Sequence, residues 1–173
     1  TSETGTVAVK KGLLQPNLEE DILAIAVIDR YTNKGNIGKG FVKGFGLQAG
    51  AFASSVAHDS HNVVVVGTNA EDMSKAVNHI IEMNGGLTIV KDGKILADLP
   101  LPIGGIVSDA PAMKVAKAYI DLLKVARIEL NCPLKSPFFT ISFLALPVIP
   151  ELKITDKGLV DVTQQKIVDV FVK

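Results

Sequence analysis

At 173 residues, 47% of them apolar, the chain is long enough to bury one substantial core and too apolar to stay disordered. Its 18 basic and 18 acidic residues cancel, which removes the overall field that would draw nucleic acid or an anionic membrane surface. No apolar run reaches membrane-spanning length, and the first residues lack the apolar block of a secretory signal.

The sequence begins without Met, so a processed start and a piece of a longer chain both stand open. Residues 6–9 alternate apolar with polar and suit an edge strand, whereas residues 12–21 carry Pro16, Asn17 and an acidic cluster and read as a loop. Residues 1–20 together form an N-terminal extension. Residues 22–28 are apolar without a break; their length and β-branching suggest a strand covered on both faces. Asp29-Arg30-Tyr31 closes it: Arg30 and Tyr31 either face solvent or a ligand at the strand end or, as the simpler account, form a surface salt bridge beside a half-buried ring. Six glycines follow between Asn33 and Gly50, interleaved with lysines, but no Gly-Lys-Ser or Gly-Lys-Thr closes the run as a phosphate loop would. Residues 40–46 and 50–57 read instead as two short strands whose small side chains let another layer come close, a partner domain being one candidate.

Four consecutive valines, 63–66, make the next buried strand. Thr68 or Asn69 then caps a helix whose first turn carries Glu71 and Asp72, favourable at the positive end of the helix dipole. Met73, Ala76, Val77, Ile80 and Ile81 recur at helical spacing as its buried face; His79 falls off that stripe and reads as a solvated surface histidine. Asn84-Gly85-Gly86 ends the helix. Asp92-Gly93 between the apolar runs 87–90 and 94–99 marks a tight hairpin. After Pro100, Pro102, Gly104 and Gly105, a second long helix starts at a Ser108 or Asp109 cap with Pro111 in its first turn. Ala116, Tyr119, Ile120, Leu123 and Ala126 or Arg127 mark its seam as far as about Leu130.

Cys132, the lone cysteine, has no partner for an internal disulfide and reads as a small apolar residue at the helix end, in a reducing, cytoplasmic interior. Residues 136–150 are too apolar for an exposed loop and too rich in proline for a central strand; they either cover the core or offer a sticky surface to a larger partner. A short strand at 152–154, a turn at 156–158 and a last apolar stretch at 167–172 finish the chain. The hairpins and adjacent strands imply an α+β fold: a mixed, largely antiparallel sheet with two main helices packed on one face, in a single domain spanning residues 1–173.

The most concentrated chemistry lies in Ser54-Ser55-Val56-Ala57-His58-Asp59-Ser60-His61-Asn62, which runs directly into the valines. A rigid strand can aim polar groups beyond its end at a ligand, although a plain polar turn between two strands uses the same residue types. His58 and His61 splay apart in extended chain, so only a turn at Asp59-Ser60 brings both rings together. Asp59 would then be a third metal ligand or the partner that fixes a tautomer. A complete zinc site wants about three protein ligands, which makes a partial site the better reading. Asp59, Ser60 and His61 are the right types for serine catalysis, yet sequence neighbours seldom reach that geometry and no Gly-x-Ser-x-Gly is present.

Longer strings carry a resemblance. Gly40-Phe41-Val42-Lys43-Gly44-Phe45-Gly46-Leu47, Ala53 through Asn62, Val65-Val66-Gly67-Thr68-Asn69 and Glu71-Asp72-Met73 are similar to the C-terminal domain of microbial adenine deaminases. So are Leu99-Pro100-Leu101-Pro102-Ile103-Gly104-Gly105 and the run from Ser142 through Leu152, all in the same order over roughly residues 21–162. The resemblance implies an enzyme of the amidohydrolase superfamily that hydrolyses adenine to hypoxanthine and ammonia in purine salvage. It implies a divalent metal (manganese, iron or zinc) held in a barrel domain that precedes this one. That barrel is missing here: no His-x-His occurs, and an eightfold strand-helix repeat does not fit in this length.

The resemblance therefore implies a domain inactive by itself, docked beside the mouth of a metal-bearing barrel in the same or a companion chain. Side-chain chemistry then suggests proton shuttling by His58 or His61, orientation of an imidazole by Asp59, and contact with the purine edge by Ser60 or Asn62. A segment that merely seals the interface is the alternative. Exposed apolar residues of the tail are compatible with a homodimer. Two other readings remain: a free-standing purine- or protein-binding domain without catalysis, and an independent hydrolase using both histidines and Asp59 around a metal.

Overall fold

A computed structural model describes residues 2–10, 13–32 and 34–172. In chain order its strands and helices are β1 (Ala8–Lys10), β2 (Leu13–Gln15), β3 (Ile22–Ile28), β4 (Ile37–Lys43), β5 (Ala51–Ser54), β6 (Val63–Gly67) and α1 (Ala70–Glu82). There follow β7 (Gly86–Lys91), β8 (Lys94–Pro100), α2 (Ala112–Glu129), α3 (Pro137–Leu144), β9 (Leu152–Thr155), β10 (Gly158–Asp161) and β11 (Lys166–Val168). No helix among the described residues is long and apolar enough to cross a membrane.

Six strands form the central sheet in the order β4-β3-β6-β5-β7-β8, and every ladder is antiparallel. Strand β3 occupies residues 22–28 as its unbroken apolar run predicts, and residues 92 and 93 turn the β7–β8 hairpin with φ of 53° and 70°. β1 and β2 pair apart from this sheet. β2 therefore lies inside the stretch read as a loop; a three-residue strand carries too little pattern to be seen without its partner.

Side-chain alternation divides the sheet into two apolar faces. Leu23, Ile25, Val27, Phe52, Val64, Val66 and Ile89 point to one face, where Leu122 and Ala126 of α2 and Phe138 and Ile141 of α3 meet them. Ala51, Ala53, Val63, Val65 and Val90 point to the other, against Ala76 and Ile80 of α1. The helices thus cover both faces rather than one. The consecutive valines require it, because neighbouring residues of a strand face opposite ways.

The close layer over the small residues of β5 is α1 of the same chain, not a partner domain. A Cβ on Gly67 would lie 2.5 Å from Met73 Cγ and 2.7 Å from Ala51 Cβ. The β9–β11 sheet, in the order β11-β10-β9, comes equally close to β4, where a Cβ on Gly38 would fall 1.7 Å from the Thr155 carbonyl oxygen.

Asn69 caps α1 by accepting from the Asp72 amide at 2.8 Å. Ile81, counted in the buried stripe, is 61% exposed, and Met83 packs on that cluster instead. His79 is not solvated: its side chain is 14% exposed, with Nε2 2.7 Å from Asp98 on β8 and Nδ1 3.4 Å from Glu82. That environment depends on β8 lying beside α1, which helical spacing does not reveal.

Helix α2 begins after Pro111, while Ser108 caps a turn upstream by accepting from the Ala110 amide. Leu122 and Ala126 are its buried centre and Ile120 is 51% exposed, so the seam is rotated from the expected one. Apolar residues cover much of its circumference, and spacing alone does not choose among the faces. The stretch 136–150, neither exposed loop nor central strand, contains α3. Pro137 is tolerated in its first turn, and the next proline, Pro147, falls beyond its end. Phe138 sits edge-on to Phe52 at 5.2 Å, so this segment does cover the core.

Candidate functional site

Antiparallel pairing brings the ends of β3, β5 and β8 and the starts of β6 and β7 to one end of the sheet. The Ser55 amide donates to Gly86 O at 3.0 Å and the Leu101 amide to Gly85 O at 2.9 Å, joining three of these connections.

The segment after β5 folds into a compact turn. The His61 amide donates to the Ala57 carbonyl at 2.7 Å, His61 takes φ 51°, and Asp59 and Ser60 stand exposed at the tip. This turn brings the half-buried rings of His58 and His61 to a centroid separation of 6.3 Å, inclined at 66°. Asp59 accepts no hydrogen bond from either ring in this arrangement. Nδ1 of His61 is buried without a hydrogen-bond partner. The tautomer with its proton on Nε2 leaves no unpaired donor there, since an unmet N–H is costlier to bury than an unmet lone pair.

Asn62 ends the turn 4% exposed, with both ends of its amide engaged. Oδ1 accepts from the Arg30 amide at 3.2 Å, and Nδ2 donates to Asp156 Oδ1 at 3.2 Å. It therefore ties the end of β3 to the β9–β10 turn.

Arg30 and Ser55 organise the same end of the sheet; Ser55 belongs to the polar stretch 54–62 and Arg30 closes β3, but the sequence assigns neither a role in the site. Arg30 Nη2 donates to Gly104 O at 2.7 Å and to the Tyr31 hydroxyl at 2.8 Å, and its guanidinium carbon lies 4.8 Å from the Tyr31 ring centroid. Among the described residues no carboxylate pairs with it, its Nε is buried without a partner, and Tyr31 is 60% exposed. The salt bridge and half-buried ring are thus replaced by a carbonyl contact and an open ring. Ser55, fully buried, accepts from the Gly86 amide at 2.7 Å and donates to Gly105 O at 2.5 Å. The signal in the sequence is the Gly104-Gly105 pair after two prolines. Both glycines have positive φ (63° and 77°), and a Cβ on Gly105 would lie 1.7 Å from Arg30 Nη1.

On its other side the turn meets α3, where Phe143 lies edge-on to His58 at 5.3 Å. Cys132 is buried, and burial pushes its thiol up, which suits a core residue rather than a nucleophile. Among the described residues no three of His, Cys, Asp and Glu gather to hold a metal. Two imidazoles alone fall short of the usual ligand number, so the described residues do not complete a metal centre.

Residues 1–166 match the sequence profile of the adenine deaminase C-terminal domain. The chain belongs to that family. It is 48% identical over 164 residues to adenine deaminase 1 of Carboxydothermus hydrogenoformans, covering 94% of this chain and 27% of that protein. Against the adenine deaminase of Dehalococcoides mccartyi it is 51% identical over 162 residues, covering 94% of this chain and 28% of the relative. Against that of Desulfatibacillum aliphaticivorans it is 52% identical over 168 residues, covering 97% and 29%. The domain thus spans less than a third of the length of these relatives.

Proposed function

We propose that this chain serves as the C-terminal domain of a cytoplasmic adenine deaminase and lends its reaction chamber the turn from His58 to His61. The catalytic portion, in this reading, is a metal-bearing barrel of the amidohydrolase superfamily supplied by the rest of the protein. The observation that carries it is the pairing of two half-buried imidazoles behind an exposed Asp59-Ser60 tip, in a domain matched to adenine deaminases over less than a third of their length.

Adenine plus water gives hypoxanthine plus ammonia, so oxygen replaces nitrogen at C6 and the leaving amino group must gain a proton. His61, with its proton on Nε2, donates a hydrogen bond to the purine or to the leaving nitrogen; His58 moves the proton. Ser60 meets the purine edge and Asp59 the rim of the chamber, both from the tip. Asn62, whose amide is bound at both ends, holds the turn in place. The divalent metal belongs to the other portion of the enzyme.

The test uses the full-length protein that carries this domain. His58→Ala and His61→Ala are made separately and ammonia release from adenine is followed. Loss of general acid-base help lowers kcat by about 10²- to 10⁴-fold. Unchanged turnover in both variants would falsify the catalytic role and leave a turn that only seals an interface.

A further inference from the structure

Helix α3 buries one side and leaves the other open. Phe138 and Ile141 are 3% and 0% exposed, whereas Phe139 is 59% exposed. Phe139 packs on Phe143 with centroids 4.8 Å apart, Phe143 packs on His58 at 5.3 Å, and His58 lies 6.3 Å from His61. Four rings therefore form a row from the surface to the polar turn. Just beyond the helix, Val148 and Ile149 are 66% and 42% exposed between Pro147 and Pro150.

We propose that Phe139, Phe143, Val148 and Ile149 form the surface on which this domain docks against the catalytic portion of its own protein. The docking seats the His58–His61 turn at the reaction chamber, and in that respect it rests on the deaminase reading above.

The choice of occupant comes from composition, reach and position. No charged side chain occurs between Lys135 and Glu151, the depletion found at the centre of protein interfaces. The exposed apolar residues of α2 differ: Met113, Ile120 and Ile128 are interleaved with Lys114, Lys117, Asp121, Lys124 and Arg127, as on a solvated helix. More than two thirds of each matched relative lies outside the matched region and supplies a protein surface to cover these exposed apolar residues. The row of rings also ends at the residues assigned to the chamber. Three prolines, 137, 147 and 150, stiffen the segment, so little ordering entropy is lost on docking.

The test again uses the full-length enzyme, with the photoreactive residue benzoylphenylalanine replacing Phe139, and in a second variant replacing Ile120 on α2. Irradiation and peptide mapping should give intrachain adducts from position 139 to peptides outside this domain and none from position 120. Adducts from 139 confined to this domain, or joining two copies, overturn the proposal. A companion variant, Phe139→Ser with Val148→Ser, should lower turnover at least about tenfold, a loss of some 1.4 kcal/mol of transition-state stabilisation, while thermal unfolding of the domain is unchanged; full turnover of this variant alongside inactive His58→Ala and His61→Ala overturns it. The two readings separate cleanly. Outward adducts from 139 with fully active His58→Ala and His61→Ala leave the docking standing and end the catalytic role, and inactive histidine variants without such adducts do the reverse.

Discussion

Ser55 and Gly105, 50 positions apart, are joined by a 2.5 Å hydrogen bond from the serine hydroxyl to the glycine carbonyl. Because the same hydroxyl accepts from the Gly86 amide, one buried atom clamps the start of β7 to the loop that follows β8. Ser55→Ala leaves a buried N–H and a buried carbonyl to find other partners and should cost about 2–3 kcal/mol of stability. Urea unfolding of the chain reads this directly; a change under 0.5 kcal/mol, on the order of a neutral surface substitution, would show that the clamp is dispensable.

Gly105 and Arg30 occupy space that only one of them can extend into. Gly105→Ala combines a left-handed backbone with a Cβ 1.7 Å from Arg30 Nη1. The backbone alone costs about 1–2 kcal/mol, and displacing the guanidinium adds to it. Arg30→Ala in the same chain removes the collision, so the double variant should be less destabilised than the sum of the singles. A double-mutant cycle by denaturant titration measures that coupling, and strict additivity would place the two residues apart.

Asp72 links helix α1 to the β7–β8 turn. Asp72 is 3% exposed, and its carboxylate accepts from the Gly93 amide at 2.8 Å, the Asp92 amide at 3.3 Å and Asn69 Nδ2 at 2.9 Å. Asp72→Ala should destabilise the chain by about 2–4 kcal/mol, because donors buried at a helix start lose a charged acceptor. Asp72→Asn, which keeps one acceptor oxygen, should fall between. Equal midpoints for the three proteins in urea would refute the linkage.

Two turn carboxylates give the domain a predictable acid limb. Thr32, chiefly through its hydroxyl, and the Tyr31 amide hold Asp29 below the ordinary 3.8; the Thr163 hydroxyl and the Gln164 amide do the same for Asp161. A carboxylate whose folded pKa is depressed binds fewer protons folded than unfolded, so its contribution is complete above 3.8 and disappears as pH falls through the lower folded value. Asp29→Asn and Asp161→Asn should each flatten the loss of stability below about pH 4 and leave the neutral region nearly unchanged. Thermal melts between pH 7 and pH 3, run beside the parent chain, check the sign; steeper acid loss in the variants would contradict it.

Local chemistry made much of the sheet readable. Length and β-branching pointed to strands in the run 22–28 and the four valines, and both form them; Asp92-Gly93 supplies the left-handed geometry a two-residue hairpin needs. Thr68 or Asn69 ahead of Glu71 and Asp72 announced the start of α1, and the structure shows Asn69 to be the cap, within one turn of the amide it accepts from. The prolines of 136–150 spoke correctly against a central strand, but the helix that Pro137 opens was not foreseen.

The candidate turn was legible as residue types, His58 to Asn62, without the distances between them. Residue composition could not tell that Asn62 spends its amide on Arg30 and Asp156, because Asp156 is 94 positions away. Nor could it show that His79 lies between Glu82 and Asp98, or that Arg30 reaches Gly104 across 74 positions.

By itself the sequence determined the long strands of the central sheet, the tight turn at Asp92-Gly93 and which stretch concentrates the polar chemistry, because backbone preferences and alternation act over a few neighbouring residues; the short strands β2 and β10 escaped it. Only the tertiary structure decided which face of α2 is buried, which loops share the end of the sheet and which polar groups already have partners. Those depend on the register and order of strands far apart in the chain, and on packing that brings together atoms no local pattern connects.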